Sequence, residues 1–201
     1  ALQVELDAIS VIQRSDAIRQ ALDTAIERRD NPNSAIKSGI GAIDDIIGAL
    51  FPRDLILIAG RPSMGKTDLA INVAWNVARI GNAVLFVSIE MGLTDLYWRI
   101  FSLETGVFRS KFRTGRVENQ DLSLIEERIG VVEKYPLTII APRKVNVRDI
   151  RSMSIEENAK VSGNLKLVVV DYLGLIKPVR HSQNREQEVS NISAGLKEIA
   201  L

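Results

Sequence analysis

Cysteine is absent from the 201 residues, and histidine occurs once, at His181. The first absence excludes disulfides, thiolate metal sites and cysteine nucleophiles. The second means that histidine alone cannot build a metal centre. Charge of one sign is also scarce: the net value is +1. No global field therefore commits the chain to nucleic acid or to a membrane surface, and any nucleic-acid contact must come from a local basic patch. Aromatic residues make up only 5%, which leaves few platforms for base stacking. No apolar run approaches the roughly 18 residues of a membrane span, so no membrane partner is expected. The stretch "ALQVELDAIS" carries acids and lacks the basic-then-apolar order of a signal peptide. Neither an internal repeat nor a low-complexity tract is present. A cytoplasmic location is compatible with all of this.

What is present is ordinary for a globular protein, with 46% hydrophobic and 25% charged residues. The length suffices for one α/β domain with a sizeable core. Residues 15–29, "SDAIRQALDTAIERR", repeat apolar positions at helical spacing. Ser15 or Asp16 can cap the start, and Arg28 and Arg29 suit the negative end. "DNPNS" at 30–34 then breaks the chain. Residues 1–34 thus read as a helical arm, and 35–201 as the main domain. The arm packs either on its own domain or on a neighbouring subunit.

From about residue 41 the order turns α/β. A short helix covers "GAIDDIIGAL". Strands are expected at 55–60, 82–90, 137–141 and 165–171. Helices are expected from the glycine loop to about Ile80, then over about 93–105, 119–133 and 147–162, the last capped by Asn146. "NREQEVSNISAGLKEIAL" forms a final helix. Strands rich in Val, Ile and Leu between helices indicate a mainly parallel sheet covered on both faces. Ligands of such sheets sit beyond the carboxyl ends of the strands.

Three of those ends carry polar candidates. The first is Gly60-Arg61-Pro62-Ser63-Met64-Gly65-Lys66-Thr67, the spacing of a phosphate-binding loop between a strand and a helix. Its glycines let backbone N–H groups turn inward around phosphate oxygens. The helix that begins there adds its positive end. Lys66 can reach the β- and γ-phosphates, and Thr67 offers a hydroxyl to Mg²⁺. The second is Asp171, which closes "LVVVD". A carboxylate after four apolar β-residues needs a partner: in a phosphate-loop protein the Mg²⁺ shell is the favoured one, and a cap on the next turn is the alternative. The third is Glu90, closing "VLFVSIE". It suits either of two roles: activation of an attacking water, or an acid at a helix start.

"RPSMGKT", "VLFVSIEM", "FRTGRV", "VVVDYLGLI" and "NREQEVSNISAGLK" occur in one order that resembles the motor domain of bacterial replicative DNA helicases of the DnaB type. The resemblance covers roughly residues 35–201, and the arm is similar to the linker helix preceding that domain. It implies a RecA-like phosphate-loop NTPase, a homo-oligomeric ring hexamer, and ATP hydrolysis coupled to movement along single-stranded DNA, with a helicase loader or primase as further partners. By position, Lys66 and Thr67 match the Walker A residues, Asp171 the Walker B acid and Glu90 the catalytic glutamate. The arm would pack against the adjacent subunit. In the family a further strand inserts between the Walker A and Walker B strands and ends in a nucleotide-sensing glutamine. An arginine that reaches a neighbour's γ-phosphate and a DNA-holding loop come later. None of these is within residues 1–201, so the expectation is that they are part of a longer chain.

For DNA contact the candidates are Lys177, Arg180 and Arg185 in "KPVRHSQNR", which also holds His181 and has no acid. Channel lining and plain surface loop are both open for this stretch. "RSKFRTGR" at 109–116 is basic as well, and solvated surface explains it. Two other functions stand beside the motor: a recombinase-type RecA relative, and a nucleotide-gated binding module for replication proteins.

Overall fold

The computed structural model describes residues 14–30, 35–178 and 184–201. The chain divides into two compact units, the first running to Ala35 and the second from Ile36 to Leu201. The first contains helix α1 (Arg14–Asp30), with Asp16 in its first turn and Arg28 and Arg29 in its last. Its apolar Ile18 and Leu22 are exposed.

The second unit is built on a three-stranded parallel sheet of β1 (Ala83–Ser88), β2 (Leu137–Ile140) and β3 (Leu165–Asp171). Its order is β2-β1-β3. Leu85 pairs with Thr138 on one side and Val168 on the other. Central β1 is buried along its whole length, as its unbroken apolar run demands. Alternate side chains serve opposite faces. On one face Val84 and Phe86, with Leu167 and Val169, meet α3 (Lys66–Arg79), α4 (Leu93–Thr105) and α6 (Asn119–Val132). On the other face Val170 packs with α7 (Val147–Lys160) and α8 (Arg185–Ala200) through Ile150 and Ile192. Each fully buried Ile, Leu or Phe contributes about 1.5–3 kcal/mol relative to exposure.

Helix α3 presents Ala70, Ile71, Ala74, Trp75 and Ala78 to this core, and its alanines permit close approach to the sheet. Trp75 is buried, lies edge-on to Tyr135 and donates to Glu104. The segment before the loop is pinned to α3. Asp44, in α2 (Gly41–Ile47), accepts from the backbone N–H groups of Ser38 and Gly39, and Asn76 donates to the Ser38 carbonyl. A Cβ at Gly39 would lie 2.7 Å from Asn76, and its φ is +73°, so this close crossing needs glycine.

Helix α7 begins as expected: Asn146 accepts from the N–H groups of Arg148 and Asp149, and Asp149 accepts in return from the Asn146 N–H. Two short elements are additional, α5 (Arg109–Thr114) and a 3₁₀ turn at Leu173–Leu175.

The expected strand at 55–60 is a correction. Those residues adopt no strand, and Ile56, Leu57 and Ile58 are exposed. A strand exists only with a neighbour to bond. Among the described residues none pairs with 55–60, and β3 has a neighbour only on its β1 side.

Candidate functional site

The loop before α3 makes two left-handed turns. Gly65 caps the helix in the left-handed region at φ +82°, and Ser63 turns the same way at +64°. Pro62, with no N–H to donate, shares with Ser63 the turn closed by the Met64 N–H on the Arg61 carbonyl at 3.3 Å. Lys66 Nζ folds back across the loop and donates to the carbonyls of Gly60 and Arg61, each at 3.0 Å. Both bonds lie on the exposed side of the loop, so the ammonium can leave them for an anion. Met64 is exposed. Thr67 follows in the first turn of α3.

Asp171 ends β3 directly opposite Ser88 at the end of β1. Its carbonyl accepts from the Ile89 N–H at 2.7 Å. The side chain is buried, and its Oδ2 has no hydrogen-bond partner. A buried carboxylate oxygen left without a donor is costly, and a cation at this position would satisfy it. Glu90 lies just past β1 on an exposed turn. Parallel pairing of β1 with β3 therefore brings the Glu90 turn and Asp171 to the same end of the sheet.

Sequence reasoning missed the residues that bind these parts together. Ser88 Oγ donates to the Met91 carbonyl and accepts from its N–H, closing a tight loop around Glu90. Asp68, next to Thr67, is ion-paired with Arg99 of α4 and accepts from Arg109 of α5 at 3.2 Å. Arg99 also donates to Met91 Sδ at 3.4 Å. Burial holds the Arg99 guanidinium below its ordinary pKa, the neighbouring Arg109 charge lowers it further, and Asp171 opposes both. One sequence signal could have exposed Arg99: it stands between Leu96 and Ile100 on the buried stripe of α4, where a charge is out of place.

The basic stretch 109–116 is not simply solvated. Besides Arg109, Lys111 donates to both carboxylate oxygens of Asp121 at 2.8 and 3.1 Å. In the 177–185 stretch, Lys177 is exposed and its N–H bonds the Val145 carbonyl. Arg180 and His181 lie outside the described residues. Arg185 donates to Glu188 at 3.2 Å and to the Gly174 carbonyl at 2.7 Å. Among the described residues no helix is long and apolar enough to cross a membrane.

The family model for the DnaB-like helicase C terminal domain matches residues 35–201. The chain is 33% identical to the replicative DNA helicase DnaB of Geobacillus stearothermophilus over 177 residues, covering 87% of this chain and 38% of that protein. It is 32% identical to the replicative DNA helicase DnaC of Bacillus subtilis strain 168 over 192 residues, covering 94% of this chain and 41% of that one. The chain thus spans about two fifths of the length of these relatives. Among solved structures, it is similar to a DnaB-like replicative helicase studied with primase, at a TM-score of 0.79 and 28% identity, covering 90% of this chain and 44% of that one. It is also similar to a second solved structure, that of an ATPase domain, at a TM-score of 0.78 and 28% identity, covering 91% of this chain and 66% of that one. With its parallel sheet, phosphate loop and helix-covered faces, the chain belongs to the DnaB-like helicase C-terminal domain family and has the RecA-like fold.

Proposed function

We propose that this chain is the ATP-hydrolysing motor of a replicative DNA helicase, which moves along single-stranded DNA and unwinds duplex. One observation carries the reading: the buried, unpartnered Asp171 oxygen at the sheet end shared with the Glu90 turn, in a chain whose α3 opens on a phosphate loop.

In this reading the N–H groups of residues 60–67 and the Lys66 ammonium hold the β- and γ-phosphates. Glu90 orients the attacking water and takes its proton. The residues present fit Mg²⁺: Thr67 Oγ1 and the Asp171 carboxylate would hold it, directly or through water. The ion supplies positive charge against the charge developing on the phosphates.

Residues 1–34 act as the linker arm and 35–201 as the motor. The exposed apolar Ile18 and Leu22 on α1 support docking of the arm on an adjacent subunit of a ring hexamer. Single-stranded DNA is the track, with Lys177, Arg180 and Arg185 as candidate phosphate contacts, and a primase or helicase loader is a further partner. A cytoplasmic location belongs to the same reading.

The test is ATP turnover, with and without single-stranded DNA, by a version of the chain extended with the family's sensor, arginine and DNA-loop segments, since residues 1–201 alone should hydrolyse slowly, beside Lys66→Ala and Glu90→Gln. Turnover that rises with DNA, vanishes in Lys66→Ala, and is lost in Glu90→Gln while ATP still binds is the expected result. Tight ATP binding without turnover, in a sample assembled with its neighbours, would favour the nucleotide-gated binding module.

A further inference from the structure

Segments of the site from three parts of the chain converge on one guanidinium. Arg99 is about nine-tenths buried, with 10% of its side chain exposed. It is ion-paired with Asp68, one residue after Thr67, and donates to Met91 Sδ, one residue after Glu90. The Asp171 charge acts on it as well. Neither its Nε nor its Nη1, the nitrogen of the ion pair, has a hydrogen-bond partner.

Packing alone does not account for a charge here. Leu96 and Ile100, on the same face of α4, are fully buried and form its contact with the core. A methionine or leucine at position 99 would occupy similar volume without the desolvation cost of a guanidinium. A buried cation held by a half-exposed carboxylate can fix one arrangement among alternatives. Here the arrangement it fixes is the relation of the Glu90 turn to the phosphate-loop helix.

We propose that Arg99 is a positioning residue: its buried guanidinium ties the turn carrying Glu90 to the first turn of α3 and so holds Glu90 toward the nucleotide. This rests on the ATPase reading, in which Glu90 acts on water. Met91 is then fixed twice, by Ser88 at its backbone and by Arg99 at its sulfur. Glu90, between Ile89 and Met91, is presented from a braced turn. The phosphate donors belong to a different segment, residues 60–67. Loss of the tie therefore affects the water-activating group more than it affects nucleotide binding. A displacement of about 1 Å in such a group can cost as much as about a hundredfold in rate.

The experiment compares Arg99→Gln, Arg99→Lys and Asp68→Asn with the parent chain. It reads amide hydrogen exchange over residues 88–92 without nucleotide, binding of a fluorescent ATP analogue with Mg²⁺, and ATP turnover. Arg99→Gln should speed exchange in 88–92, keep analogue affinity within about threefold, and lower kcat about tenfold or more at an unchanged KM. Arg99→Lys should recover part of kcat. The Asp68–Arg99 double variant should cost less than the product of the two single effects. Unchanged exchange together with unchanged kcat in Arg99→Gln overturns the proposal. So does an equal loss of binding and turnover that lysine does not relieve. If Arg99→Gln does not fold, Asp68→Asn decides, because its carboxylate is half exposed: faster exchange in 88–92 supports the tie, and parental exchange overturns it. Turnover that survives Lys66→Ala would remove the ATPase reading, and the role of Arg99 in hydrolysis with it. The exchange readout would still report whether the physical tie exists.

Discussion

Ser88 holds Met91 by both of its backbone groups, accepting from the N–H at 3.1 Å and donating to the carbonyl at 2.9 Å. Ser88 is 1% exposed, so water cannot replace these bonds. Ser88→Ala should lower stability by about 1–2 kcal/mol and should lower kcat for ATP with little change in KM. Urea unfolding and steady-state kinetics measure the two. An alanine variant with parental kcat would mean that the brace does not govern Glu90.

Trp75 joins α3 to α4 through its indole N–H, which meets Glu104 Oε1 at 2.8 Å. Trp75→Phe removes the donor and leaves a partly filled space in the largest apolar cluster. The two effects together should cost about 2–4 kcal/mol. A chemical denaturation midpoint checks this, with an unchanged slope as the sign that the transition itself is unaltered.

Asp171→Asn isolates the cation from the phosphate. The variant should still bind ATP in the presence of a chelator, through residues 60–67, but should lose the additional thermal stabilisation that Mg²⁺ gives with ATP. Ligand binding raises the melting temperature by mass action, so a melting series with ATP, with and without Mg²⁺, reads this directly. A full Mg²⁺-dependent shift in Asp171→Asn would exclude Asp171 from the metal role.

Lys111, and next the Glu118 N–H, hold the Asp121 carboxyl below its ordinary pKa. The folded chain therefore binds its proton less readily than the unfolded chain does. The stabilisation is complete above the ordinary carboxylate value of about 4 and is lost as pH falls through the lower folded value. Asp121→Asn should reduce stability at neutral pH and flatten the acid decline below about pH 4. Unfolding midpoints across the acid range test this, and an unaltered decline would assign it to other carboxylates.

The fold was legible wherever the signal is local. "LVVVD" announces a strand ending in an acid, although its apolar residues are half-buried and only Asp171 is buried, and Asn146 three residues before Asp149 announces a helix start. The loop at 60–67 is legible because phosphate binding constrains spacing within one short segment. The Arg99 cluster was not legible, because its partners are distant in sequence: Asp68 stands 31 positions from Arg99 and 41 from Arg109. Helix α5 was hidden for a related reason. "RSKFRT" has no apolar period, and its Lys111 gains its place from Asp121, which arrives with α6. The strand expected at 55–60 failed differently. "LILIAG" has the right composition, but strand structure belongs to a pair of segments and not to one.

That unpaired stretch has a consequence for the behaviour of the protein in solution. Ile56, Leu57 and Ile58 stand together and exposed, outside any strand. A short, uncharged β-prone segment with open hydrogen-bonding groups is a template for another such segment. A strand laid beside it should therefore draw 55–60 into the sheet. Faster amide exchange over 55–60 in residues 1–201 alone than in a version extended with the family's further strand would show this, and equal exchange in both would rule it out.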